Sequence, residues 1–168
     1  MTELDQVWAR MLSAAEAKAS DRGRDDIVEY LRLRATNDAI RARGVEWLFD
    51  TVIEIASEAQ RRHAMITIER AEPHRFQRGS AHMVGSKLEI RHGVRCLTVE
   101  AGWTRSPSDG VMRGSALAYA RMDHFGLTRH NAEFKLVHGD ELPQWLDERG
   151  APIDSREIQR HFDIFFDT

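Results

Sequence analysis

The chain has 168 residues, 42% hydrophobic and 30% charged, with a formal net charge of −3, the composition of one globular domain with its own core. That balance excludes a disordered or fibrous chain and argues against a general nucleic-acid binder, and no stretch nears the ~18 apolar residues of a membrane span. Cys96 is the only cysteine, which excludes an intrachain disulfide and a cysteine-based zinc site.

Met1-Thr2-Glu3-Leu4-Asp5 is acidic and carries no apolar run, so no signal peptide is expected and the expected location is cytoplasmic. Thr2 is placed to cap a first helix with Asp5 in its first turn. Leu4, Val7, Trp8, Met11, Leu12 and Ala15 then form one apolar stripe. Asp21-Arg22-Gly23 breaks it. A second helical stretch begins near Asp25 and carries Ile27, Tyr30 and Leu31. Thr36-Asn37-Asp38 either caps a new helix or continues as one turn. From Val45 the pattern is strong: Val45, Leu48, Phe49, Val52, Ile55, Ala56 and Ala59 share a face, widened by Trp47 and Ile53. This long helix is the expected partner of a sheet.

Near His63 the apolar period drops from every third or fourth residue to every second, the change from helix to antiparallel strand. Charge changes with it. Residues 1–63 hold 10 Lys+Arg and 12 Asp+Glu, residues 64–138 hold 11 and 7, and residues 139–168 hold 3 and 8. Six of the eight histidines also fall in 64–138.

The first strand is expected from Met65 to Arg70, because Glu72-Pro73 opens a stretch in which proline cannot serve a paired strand. Val84 to Trp103 reads as a hairpin turning at His92-Gly93, with Leu88 opposite Leu97. Leu88, Ile90, Leu97, Val99 and Ala101 then share one face. A long loop, Thr104 to Gly114, precedes a strand from Ser115 to His124, whose row Ala116, Ala118, Ala120 and Met122 suits close approach by the long helix. Ala132 to His138 returns. Leu142 to Leu146 is a short edge strand beside Pro143. Asp154 and Glu157 have capping-box spacing, and Ile158, Phe162, Phe165 and Phe166 stripe a closing helix. The expectation is an α+β fold in one domain: helical 1–63, β-rich 64–146, and a closing helix at about 155–167. The N-terminal helices and the C-terminal helix pack on one face of a curved, mainly antiparallel sheet of four to six strands.

Neither GxGxxG nor GxxxxGK[ST] is present, so no cofactor is expected. The 103–114 loop is the first candidate site. Arg105 and Arg113 offer planar donor forks for an anion, Trp103 could shelve a ring, and Tyr119 and Arg121 extend the patch if the loop folds over them. His124, His130 and His138 form a weak metal candidate, since their spacing matches no compact motif. Asp123 and His124, as strand neighbours, point to opposite faces and cannot form a dyad. Arg32, Arg34, Arg41 and Arg43 read as a solvated helix face rather than a nucleic-acid contact.

The leading expectation is a binding or interaction protein that self-associates, because Leu31 with Leu33 and Trp47 with Phe49 put apolar groups on more than one helix side. A protein partner or a small anionic ligand fits the same reading. The alternative is a small-molecule enzyme or anion-binding protein with its pocket near the 103–114 loop and Arg121.

Overall fold

The computed structural model describes residues 3–62, 65–140 and 142–167; the Thr2 cap and the boundary at His63 lie outside them. Three helices, α1 (Glu3–Asp21), α2 (Asp25–Arg62) and α3 (Ser155–Asp167), accompany six strands. The strands are β1 (Ile66–Arg78), β2 (Ala81–His92), β3 (Arg95–Trp103), β4 (Ala118–His124), β5 (Ala132–Val137) and β6 (Gln144–Leu146). They pair antiparallel in chain order, so β1 and β6 are the edges of one open sheet. No helix among the described residues is long and apolar enough to cross a membrane.

The helices form where the stripes place them. Thr36-Asn37-Asp38 does not start a new helix. The Thr36 hydroxyl donates back to the Arg32 carbonyl at 3.0 Å, and α2 runs unbroken for 38 residues. Its second half buries Val45, Leu48, Phe49, Val52 and Ala56 against Leu88, Ile90, Leu97, Val99, Ala101 and Ala118 of the sheet. α3 adds Ile158, Phe162 and Phe165 to this core. Asp154 caps α3, its Oδ1 accepting from the Arg156 and Glu157 backbone N–H groups at 2.9 and 3.1 Å. At the other end of α3, Arg95 donates to the Phe165 and Phe166 carbonyls, a cationic stop for the helix dipole.

Three expectations are corrected. The first strand does not end at Arg70 but continues to Arg78, with a register shift between Ala71 and His74. Pro73 is tolerated because β1 is an edge strand and the bulge removes it from the ladder. The β2–β3 turn falls at Gly93-Val94, so Leu88 opposes Val99. Gly93 has φ 61° and takes the first central position, the Gly-X order of a II′ turn. Because this register differs from the expected one by two residues, the buried set on each strand is unchanged. Ala116 does not face α2; it joins Ala81, Met83 and Tyr119 in a second cluster on the opposite face.

That opposite face is concave. Arg78 on β1 donates to Glu133 on β5 at 2.8 Å, although four flat strand spacings would separate them by roughly 19 Å. The tip of the β1–β2 hairpin therefore bends over β3 to β5. Gly85 and Gly102 face each other beneath it. A Cβ on Gly85 would lie 1.9 Å from the Ala101 carbonyl oxygen. Gly85→Ala is expected to destabilise by about 3 kcal/mol, since backbone must move. Gly79→Ala, at φ 59° with nothing within 4 Å, should cost only the left-handed backbone strain of ~1 kcal/mol. Urea denaturation of the two variants measures the difference.

Candidate functional site

The sheet divides the five candidate residues. Trp103 ends β3 on the helix-facing side, in the core with α2. Tyr119 and Arg121, alternating with the buried Ala118, Ala120 and Met122, point to the concave side. Arg113 is exposed, and its carbonyl accepts from the Tyr119 hydroxyl at 2.7 Å. The structure thus joins Trp103 to Arg105, joins Tyr119 to the Arg113 backbone, and leaves Arg121 in a separate network.

Arg105 does not reach into water. Its Nη1 lies 2.8 Å from Asp5 Oδ1 in the first turn of α1, with both side chains nearly buried. Its guanidinium stacks on the Trp103 ring, 3.8 Å from the centroid. Arg34 of α2 donates to the Arg105 carbonyl. The Asp109 carboxylate accepts from the Arg105 and Ser106 backbone N–H groups and the Ser106 hydroxyl, and these bonds, the hydroxyl's foremost, hold it below the usual carboxylate range. The loop after β3 is fixed where it meets the helical hairpin.

Between that hairpin and the end of β3 lies a cavity of about 400 Å³. Trp8, Leu12 and Trp103 wall it, and Ala35, Ala39 and Ala42 form its α2 side. Trp8 is turned by its Nε1, which donates to Asp38 Oδ2 at 2.8 Å. Two N–H groups at this cavity differ from the rest. Trp103 Nε1 and Arg105 Nε are buried, and neither has a hydrogen-bond partner. A buried donor without an acceptor costs ~1–3 kcal/mol.

On the concave side, Glu100 is buried. One carboxylate oxygen lies 2.8 Å from His74 Nε2 and the other 2.8 Å from Arg121 Nη2. Arg121 Nε also holds Asp123 at 2.8 Å. Burial pushes the Asp123 carboxyl up, opposed by Arg121 and reinforced by Glu100 and Glu133. His74 sits opposite Gly85, which has no side chain to block an imbedded imidazole, and it stacks with Phe76. A carboxylate bonded to an imidazole is the pairing used in general acid–base chemistry, but here Arg121 holds the second oxygen.

The histidines also separate. His138 follows the far end of β5, about 20 Å along the strand from His124. His124 instead meets His161 of α3, with Nε2 and Nδ1 3.0 Å apart, and His130 with ring centroids 6.2 Å apart. His161 was missed in the sequence, although 158, 161, 162 and 165 follow helical spacing on one face. Among the described residues no group of three or more His, Cys, Asp or Glu side chains is placed to hold a metal.

Desolvation, aided by the fields of His161 and His130, pushes the His124 pKa down to about 4. His161 is lowered for the same first reason, with Arg160 and His130 adding to it. The His124 ring is therefore neutral when folded near pH 6, whereas an unfolded histidine begins to charge below about 6.5. The unfolded state takes up protons first, so stability falls with acidification between about pH 6.5 and 4. His124 alone should remove about 2 kcal/mol between pH 7 and pH 5. His124→Gln, which keeps a donor near the Nε2 position, should flatten that dependence; equal slopes in urea denaturation at the two pH values would show that the ring titrates normally. Compared with protein-family models, curated proteins and solved structures, the chain matches none.

Proposed function

We propose that the chain is a binding protein that acts as a homodimer, with α1 as the seam. The observation that carries this is an apolar stripe on α1 that its own fold covers only in part. Trp8 and Leu12 turn toward α2, while Leu4, Val7 and Met11 remain exposed, Met11 at 59%. At 100° per residue, Glu3, Leu4, Val7, Met11, Ala14 and Lys18 fall within a sector of about 100°.

This stripe is complementary to itself. Two copies of α1 packed antiparallel about a two-fold axis place Glu3 opposite Lys18 of the second copy, Val7 opposite its Ala14, and the two Met11 side chains beside the axis. Ala14 lets the backbones approach. The end pairs are exposed and add little affinity, but they favour the antiparallel orientation. A seam one helix wide (~10 Å) and the length of α1, about 28 Å, covers less than the ~800 Å² per partner of a standard interface, so the expected dissociation constant is micromolar.

The second reading, a small-molecule enzyme or anion-binding protein near the 103–114 loop and Arg121, is favoured by one observation, the buried Glu100–His74 pair. It is disfavoured as an anion site because Arg105 is committed to Asp5 and Arg121 to Glu100 and Asp123.

Sedimentation velocity from about 1 to 200 μM should show a 19.3 kDa monomer passing into a dimer. Met11→Asp should abolish the dimer without lowering the melting temperature. Glu3→Lys should weaken it, and adding Lys18→Glu should restore it. A monomer throughout the range, or a dimer indifferent to Met11→Asp, would remove α1 as the seam.

A further inference from the structure

We infer that the end of the sheet where β3 begins is a docking surface for an anionic lipid bilayer, engaged through Met65, Val94 and Phe125. α1 is tied near the opposite end of β3, through Asp5 and Arg105, so this inference and the proposed dimer seam stand or fall separately.

These three side chains are among the most exposed apolar groups described, at 76%, 90% and 75%. The fold brings them together. Met65 precedes Ile66, which opposes His92 across β1 and β2, so it lies beside the β2–β3 turn that carries Val94. Phe125 follows β4, and its N–H donates to the Cys96 carbonyl at 2.9 Å, two residues from Val94. From β1 to β4 is three strand spacings, about 14 Å. Turns are ordinarily built from Gly, Asn, Asp and Ser, which suit their backbone. The β2–β3 and β4–β5 connections instead present Val94 and Phe125 to solvent. One exposed apolar residue is ordinary, whereas a row of three at one end of a sheet marks a contact surface.

Form and charge select the occupant. Groups this exposed stand clear of their neighbours rather than walling a groove, which a helical segment of a partner protein would need. A bilayer needs no groove: separate apolar tips enter the headgroup boundary, each burying its own area, with cations held at headgroup level. The charge has the required sign. Residues 90–98 and 124–132, which contain the two turns, hold three arginines and no Asp or Glu. Arg129 is exposed and donates to the His130 ring, while Arg95 donates to the Phe165 and Phe166 carbonyls. Neither is therefore neutralised by the bond it makes. Among the described side chains, the carboxylates nearest this end are held or set back. Glu58 is held by Arg61 and Arg62, Glu89 by Lys87 and Arg91, Asp123 by Arg121 on the concave side, and Asp163 by Gln159. Glu69, opposite Glu89, lies about 10 Å up the strand from Ile66.

The test is co-sedimentation of the full chain with vesicles of phosphatidylcholine alone and with about 30% phosphatidylserine. Saturable binding to the anionic vesicles is expected, at least tenfold weaker to the neutral ones, and falling as salt rises from ~0.05 to ~0.5 M. Val94→Ser with Phe125→Ser removes two tips that touch little of the protein. It should weaken binding at least tenfold and leave the melting temperature unchanged. Arg129→Glu should weaken binding to the anionic vesicles. Val111→Ser, at a residue 79% exposed on the loop that follows the far end of β3, should bind as the parent does. The inference is overturned by no binding to the anionic vesicles, by binding indifferent to phosphatidylserine, or by unchanged affinity in the double variant or in Arg129→Glu. An equal loss in Val111→Ser would also overturn it, since the vesicles would then be taking any exposed apolar group.

Discussion

The architecture depends on one notch in the middle of α2. A Cβ on Gly44 would lie 2.5 Å from a Leu136 methyl carbon, so any larger residue there would push the buried Leu136 side chain out of its seat. Trp145, the register partner of Leu136, donates from Nε1 to the Gly44 carbonyl at 2.8 Å. Mid-helix glycine costs ~1 kcal/mol relative to alanine, here offset by a buried leucine and a satisfied indole. The notch keys the β5–β6 edge to one point of a helix about 57 Å long. C-terminal to it α2 lies on the sheet. N-terminal to it only Ile40 and Ala42 still pack against the sheet core, and α1 packs on the part of α2 that runs past the sheet and reaches the sheet side through Asp5 and Arg105.

A hairpin built on an overhang is held differently from a core. Among its described residues only Leu12, Ala19 and Val28 are buried hydrophobics before Val45. Polar ties do much of the positioning: Trp8 to Asp38, Arg105 to Asp5, Arg34 to the Arg105 carbonyl. Nearly buried charged bonds such as Arg105–Asp5 are worth ~1.5–3 kcal/mol each, whereas the exposed Arg32–Glu16 pair adds at most ~1 kcal/mol. Ties at the rim fix the distance between α1 and the sheet without filling the space between them. That is the physical origin of the cavity, and it places the hairpin among the segments expected to open before the sheet.

Much of this was legible in the residues. Alternation identified the buried set of β2 and β3 even with the register displaced by two, because a shift of two preserves faces. The helix stripes identified α1, the second half of α2, and α3. Less legible was whatever depended on the third dimension. Pro73 argued against a strand, yet an edge position with a bulge admits it. Nothing in the alternation of β1 and β2 announces the bend of their tip, which buries Glu100 and brings Arg78 to Glu133. The candidate residues near the loop were grouped by sequence distance, whereas the sheet passes between them.

Counting arginines in the sequence overstated the capacity for anions. Folding engages Arg105 with Asp5 and Trp103, Arg121 with Glu100 and Asp123, and Arg41 with Asp38 and the Leu117 carbonyl. A guanidinium already matched by a carboxylate has little left to offer a second one, because the new partner must displace a bond of equal chemistry. Arg105 and Arg121 are thereby structural groups, and the charge that the sequence places near the 103–114 loop is in large part spent on holding the fold.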